Sequence, residues 1–172
     1  MDFAKKLVTP RARIYVPELF AELAKMKALP DKIEALQAYQ RKDQEHANLI
    51  RDVVQSMFHP AVVFDLPPGA PPYKTDYLDY NMAPSTLVTA FKRLPYFVES
   101  HSKHIKNPVK RESVYIQTLE SLYKDDAELF VMIKNKKMDS KKYKGVTETL
   151  FRAAFPGMLP DKSPKSETGT EE

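Results

Sequence analysis

Residues 124–137 read KDDAELFVMIKNKK, and this stretch predicts a helix that other helices enclose. Its first turn carries Asp125 and Asp126 and its last turn carries lysines, which is the charge order that the helix dipole favours. The apolar centre from Leu129 to Ile133 is continuous instead of confined to one face. A helix that is apolar all round is usually buried, so we expect this one at the centre of the fold.

Other segments on both sides of this centre have apolar residues at helical spacing. They are residues 17–29, 30–40, 43–58, 84–94, 107–123 and 146–155. The interval 59–84 holds six prolines and predicts an exposed Pro-rich loop, with 61–64 (AVVF) as its one strand candidate. We therefore expect an all-α, compact domain of six or seven helices over residues 1–160, followed by a disordered polar tail, 161–172.

Composition excludes several kinds of chemistry. The 172 residues include no cysteine and four glycines, so disulfides, thiolate catalysis, a P-loop and a Rossmann fingerprint are all excluded. The Lys-x-Asp-Gly core of nucleotidyl transferases is absent, and no apolar run approaches the ~18 residues of a membrane span. We expect a cytoplasmic protein that is not an enzyme, has no cofactor and has no membrane partner.

Two pairs of side chains could form part of a metal or acid–base site. His101 and His104 lie three residues apart, and Asp76 and Asp79 do the same. Surface histidines, helix caps and loop solvation explain these residues more simply, because neither pair has a further ligand nearby in sequence. We predict no metal site and no catalytic residue, and an enzyme that uses the two aspartates with a metal is the least favoured alternative.

Basic residues are concentrated in two stretches, although the net charge is only +4. Residues 92–111 hold six lysines and arginines against Glu99, and residues 134–144 hold six lysines against Asp139. Such clusters usually face an anionic polymer, and a solvated lysine face is the open alternative. The candidate DNA-binding residues are Lys103, Lys106, Lys110, Arg111, Lys134, Lys136, Lys137, Lys141, Lys142 and Lys144.

Three segments carry a resemblance to a known family: residues 31–67, residues 87–94 (LVTAFKRL) and, best, residues 114–160, which end in FPGMLP. Over about residues 32–160 the chain resembles the N-terminal DNA-binding domain of the ATP-dependent DNA ligases of T-even tailed phages. It is also similar to small uncharacterised proteins of such phages. The resemblance implies an all-α module without the adenylation machinery, which grips duplex DNA through its backbone across the minor groove.

The same resemblance places DNA contacts at Lys141, Lys142, Lys144 and Gly145, in the turn before the last helix. We accordingly predict a phage accessory protein of the host cytoplasm that binds duplex or nicked DNA without sequence specificity. The Pro-rich interval is longer than in the ligases. The alternative is therefore an interaction module that recruits replication, repair or transcription proteins through this loop.

Overall fold

The computed structural model describes residues 16–162, and over this range the protein is all-α. The helices are α1 (Val16–Lys25), α2 (Leu29–Arg41), α3 (Gln44–Phe58), α4 (Leu87–Arg93), α5 (Pro108–Glu120), α6 (Lys124–Asn135) and α7 (Glu148–Ala154), with 3₁₀ turns at Tyr80–Met82 and Leu94–Phe97. No strand is present between residues 16 and 162. The predicted fold class is confirmed. The predicted tail falls mostly outside the described residues.

Helix α6 occupies the centre, as its apolar pattern predicts. It packs against α1, α3 and α5, and its residues from Leu129 to Ile133 are buried except for Met132. Phe130 lies 5.8 Å, between ring centroids, from both Phe91 of α4 and Tyr115 of α5. Burial of such aromatic side chains supplies a large share of a small domain's stability.

A second row of aromatic rings joins the C-terminal part of the chain to the first helices. Phe20 of α1 lies 5.9 Å from Tyr143 and 5.6 Å from Phe151 of α7, again between centroids. Phe58, the last residue of α3, lies 5.6 Å from the other side of Phe151. The turn at residues 139–145 and helix α7 are thereby held against α1 and α3.

The end of α7 is fixed by two glutamine side chains. Gln37 of α2 donates to the carbonyl of Ala154 (3.0 Å), and Gln55 of α3 donates to that of Met158 (3.1 Å). Gly157 has a left-handed backbone with φ 81°, which glycine adopts without a steric cost. The Phe-Pro-Gly sequence therefore turns the chain back so that Leu159 is buried.

The strand candidate at residues 61–64 forms only one antiparallel bridge, between Phe64 and Val98. Asp65 N–H donates to Phe97 (2.8 Å) and Glu99 N–H donates to Val63 (3.2 Å). The ladder does not extend on either side, and the carbonyls of Val62 and Asp65 accept hydrogen bonds from side-chain cations instead. These cations come from the two basic stretches.

Candidate nucleic-acid interface

The last turn of α6 holds the interval after α3 through two lysine side chains. Lys134 Nζ donates to the carbonyl oxygens of Pro67 (2.7 Å) and Gly69. Lys136 Nζ donates to those of His59 (2.6 Å) and Val62. These lysines thus supply hydrogen bonds to backbone carbonyls of the segment 59–69, which within residues 16–162 has no strand partner at these positions.

Arg111 holds the same interval from the side of α5. Its guanidinium donates to the carbonyl of Asp65 and, at 2.8 Å, to that of Ile105. It also forms an ion pair with the Asp65 carboxylate at 3.1 Å, and His104 Nε2 lies 2.9 Å from that carboxylate. The charge of Asp65 is therefore matched by Arg111, and its carboxylate also contacts the His104 ring.

These contacts bring the two basic stretches together. Lys136 reaches the carbonyl of Val62 and Arg111 reaches that of Asp65. These carbonyls are three residues apart, which is at most about 10 Å of extended chain. The sequence suggests two separate clusters, whereas the fold places one on each side of a single segment.

Lys134, Lys136 and Arg111 are partly or largely buried, which indicates that they stabilise the fold. Lys134 and Arg111 are each only 7% exposed. Desolvation lowers the pKa of both Lys134 and Lys136, with the nearby Glu112 opposing the effect at Lys134. A buried ammonium is retained where it has good acceptors, and these carbonyls supply them. We leave these three side chains out of the candidate interface, although the sequence predicts them as phosphate ligands.

The turn at residues 139–145 is a third basic group and lies near the other end of α6. Asp139 accepts the N–H groups of Lys141 (2.9 Å) and Lys142 (3.2 Å). Lys142 Nζ is 2.5 Å from Glu128 and 3.4 Å from Asp125, both in the first turns of α6. Burial lowers the pKa of Lys142, but the hydrogen bond that Lys142 donates to Glu128, together with the negative charges of Glu128 and Asp125, raises it overall. Lys141 and Lys142 are both exposed, but Lys142 is ion-paired with Asp125 and Glu128.

The fold requires glycine at position 145, and the sequence did not reveal why. Its φ is 76°, and a Cβ added there would lie 2.3 Å from the ammonium nitrogen of Lys32. Lys32 belongs to α2 and is largely buried. The glycine thus permits both the left-handed turn and the close approach of α2.

The other predicted DNA-binding residues are exposed. They are Lys103, Lys106, Lys110, Lys137, Lys141 and Lys144. Lys103 and Lys106 shortly precede α5 in the sequence, and Lys110 lies in its first turn, where the Asn107 side chain accepts the N–H of Lys110 at 3.0 Å. We call Lys103, Lys106 and Lys110 the lysine surface.

Residues 19–140 match the sequence pattern of DUF6433, a family of unknown function. The chain belongs to the DUF6433 family. No curated protein and no solved structure gives a significant match. The resemblance to phage ligases therefore stays a prediction.

The region shared with DUF6433 includes the lysine surface and the segment 59–69 that Lys134, Lys136 and Arg111 hold. It ends before Lys141, so the turn at 141–145 and α7 lie beyond the match. In this DUF6433 protein the family match thus contains the lysine surface, whereas the DNA contacts that the ligase resemblance implies lie outside it.

One residue of each polar pair that the sequence suggested forms a local hydrogen bond. His101 Nδ1 accepts the N–H of Lys103 (3.1 Å), and Asp79 accepts that of Asn81 (2.8 Å). Within residues 16–162 no three His, Asp or Glu side chains lie close enough to hold a metal ion. Nor does that part of the chain contain a helix long and apolar enough to cross a membrane.

Proposed function

We propose that this protein binds the phosphate backbone of duplex DNA, without reading its sequence, through Lys103, Lys106 and Lys110. The observation that carries the proposal is the exposure of these three lysines around the N-terminus of α5. The N-terminus of α5 is the positive end of the helix dipole, and the lysines add the net charge that attracts phosphate. Its backbone contributes little by direct hydrogen bonds, because Pro108 has no N–H and Asn107 caps the N–H of Lys110.

The electrostatic surroundings support this choice over the turn at 139–145. Near the lysine surface, the charge of the Asp65 carboxylate is already matched by Arg111. At the turn, by contrast, Asp125 and Glu128 neutralise Lys142. A phosphate therefore meets a larger uncompensated positive charge at α5.

The proposal keeps the features that the ligase resemblance implies, apart from the location of the contacts. Binding would rely on counterion release at phosphates, and duplex and nicked DNA are both expected ligands. A phage origin and a location in the host cytoplasm belong to the same proposal and rest on the sequence resemblance alone. Catalysis is not part of it, since the chain lacks the Lys-x-Asp-Gly core.

Fluorescence anisotropy with labelled duplex, nicked and single-stranded DNA, at several salt concentrations, tests the proposal. Changing Lys103, Lys106 and Lys110 together to Glu should abolish most binding at low salt. If the three lysines are instead changed to Gln, the log–log salt slope on duplex DNA should fall by about 2.7, at ~0.9 per phosphate contact. The fold should persist, since Glu at position 110 lies in a first turn where the dipole favours it.

A matched control reverses three exposed lysines elsewhere: Lys25, Lys27 and Lys124. This variant has the same net charge, so equal loss of binding in both would show only a nonspecific effect of charge. Reversal of Lys141, Lys142 and Lys144 tests the location that the resemblance implies. If that variant loses binding and the α5 variant does not, the proposed surface is wrong.

A second candidate is a protein-binding module, and exposed apolar side chains in the Pro-rich interval favour it. Leu78 is 89% exposed and Met82 is 63% exposed. Large apolar side chains exposed this far are a usual sign of a contact surface. If the protein binds none of the DNA forms at low salt, this candidate becomes the better account. Pull-downs with Leu78→Ser and Met82→Ser variants would then test it.

A further inference from the structure

A cavity of about 550 Å³ lies on a different part of the molecule from the lysine surface. Helix α1, the 3₁₀ turn at Tyr80–Met82, the first turn of α6 and the turn at 139–145 form its walls. Its volume falls within the range of ~300–1,000 Å³ that small-molecule sites usually have. None of Lys103, Lys106 and Lys110 lines it.

The cavity contains a buried carboxyl group with an unused acceptor. Asp126, in the first turn of α6, is 1% exposed, and Tyr80 forms a hydrogen bond with its side chain. Its Oδ2 has no hydrogen-bond partner within residues 16–162. Buried polar atoms are nearly always paired, because an unpaired one costs about 1–3 kcal/mol. Asp126 lines the cavity, and a ligand that donates a hydrogen bond to this enclosed oxygen, after a small rotation of the side chain, would pair it.

Charge and aromatic rings narrow the class of that ligand. The lining contains the carboxyl groups of Glu18, Asp79, Asp125 and Asp126. Asp125 pairs with Lys142, the cation of the lining, so the negative potential of the cavity rests on Asp79 and Asp126. The rings of Tyr80 and Tyr123 meet edge to face at 5.9 Å, and Lys124 Nζ lies 5.9 Å from the Tyr123 centroid. Tyrosine faces attract organic cations. A bare metal ion is a poorer match, since the described residues contain no cluster of three suitable ligands.

We propose that this cavity binds the primary ammonium or guanidinium group of an organic cation, with Asp126 Oδ2 as the acceptor. Two sources share this chemistry: a free small amine, and a lysine or arginine side chain of a peptide. The tyrosine rings contact the alkyl or guanidinium portion, and the surrounding carboxylates supply the negative potential.

The protonation state of Asp126 makes the binding pH-dependent. Burial raises its pKa to about 7, while the Tyr80 hydrogen bond opposes the shift and Asp125 adds to it. The other titratable groups around it are Tyr39 on α2, Glu18 on α1, Asp79 before the 3₁₀ turn, and Lys142 and Tyr143 in the turn at 139–145. A cation binds the ionised form, so affinity should be about tenfold weaker at pH 6 than at pH 8.

Isothermal titration calorimetry of the full chain with agmatine at pH 8 tests the proposal. We expect saturable binding that is at least tenfold weaker in the Asp126→Asn variant and absent for the uncharged analogue n-butylurea. Asp139→Asn is the matched control, since Asp139 is exposed, lies outside the cavity lining and caps N–H groups that asparagine also caps. That variant should bind as the parent does.

A second titration with the peptide acetyl-Gly-Arg-Gly-amide separates the two sources. Binding of agmatine alone assigns the cavity to a small amine, and binding of the peptide alone assigns it to a side chain. If neither saturates by about 10 mM, the proposal is wrong. Carbon-13 NMR of the Asp126 carboxyl gives a readout that needs no variant, since its pKa should fall when the cation binds. An unchanged titration curve at saturating cation would overturn the proposal.

Discussion

The ammonium of Lys136 lies 2.6 Å from the carbonyl oxygen of His59, so the end of α6 is joined to the end of α3. Lys136 is also the residue after α6, with a left-handed backbone at φ 53°. Its N–H donates to Ile133 (3.0 Å) and the next N–H donates to Met132 (3.1 Å), which is the Schellman pattern. Glycine is usual at this position because other residues are strained there. The hydrogen bonds of the Lys136 side chain therefore offset the free-energy cost of its left-handed backbone.

Replacing Lys136 should separate these two effects. Lys136→Met removes the donor for His59 and Val62 and keeps the backbone cost, so we expect a loss of about 1–3 kcal/mol of unfolding free energy. Lys136→Gly removes the same donor but relieves a left-handed strain of about 1 kcal/mol, so it should lose less. Urea unfolding followed by circular dichroism measures both. Lys137→Met, at an exposed neighbour, should stay within about 0.5 kcal/mol of the parent, and equal stability of all three variants would contradict the role of Lys136.

Substitution of Arg111 should lower the stability of the protein strongly. Its removal in Arg111→Met leaves the carbonyls of Asp65 and Ile105 without their side-chain donor and leaves the Asp65 carboxylate with His104 as its remaining contact. We expect a loss of about 3 kcal/mol or more, measured by urea unfolding. Arg111→Lys should lie between this variant and the parent, since one ammonium cannot reproduce the forked geometry of a guanidinium.

Lys110→Met is the control for Arg111, because it lies next to it and is exposed. Its stability should change by no more than about 0.5 kcal/mol. An Arg111→Met protein as stable as this control would mean that the contacts of Arg111 contribute nothing.

Asp126 should make stability fall as pH rises. Its pKa is about 7 in the folded protein against an ordinary value of 3.8, so the folded state binds the proton more tightly. The contribution is complete below about pH 4 and is lost as the pH rises through 7. Between pH 5 and 8 the parent should lose about 2–3 kcal/mol from this group, at ~1.4 kcal/mol per pKa unit.

The Asp126→Asn variant should lack this loss, so its stability relative to the parent should improve by that amount between pH 5 and 8. Urea unfolding at fixed ionic strength measures the difference, and the histidines cancel because both proteins contain them. Asp139→Asn is the control: backbone N–H groups lower the pKa of Asp139, so its effect falls at acidic pH. Parallel curves for parent and Asp126→Asn would refute the prediction.

Gly145 and Gly157 allow backbone strain to be compared at a position with a close side chain and at one without. Both have positive φ, but an added Cβ meets Lys32 at Gly145 and nothing within 4 Å at Gly157. Each change to Ala should cost about 1 kcal/mol or more from the backbone. Gly145→Ala should cost more, and the excess should disappear when Lys32 is also changed to Ala. Thermal unfolding of the three variants and of Lys32→Ala measures this, and an excess that persists would assign it to another contact.

The sequence by itself determined the helices and their buried faces. The continuous apolar run in α6 and the apolar spacing elsewhere are local patterns, and a helix depends on residues three and four apart. The all-α class and the central place of α6 followed from them. The strand prediction for residues 61–64 was met only by a single bridge. Aliphatic residues favour strands, but a strand also needs a neighbouring segment to pair with along its length.

Only the tertiary structure decided what each basic residue does. Lys136 and Lys137 are adjacent and identical in the sequence, yet one is partly buried against the carbonyls of His59 and Val62 and the other is exposed. Asp126 reads as a first-turn acid, whereas its burial beside a cavity raises its pKa. The charge of a side chain is local information. Its desolvation and its partners depend on segments that are distant in sequence, and these the fold alone brings into contact.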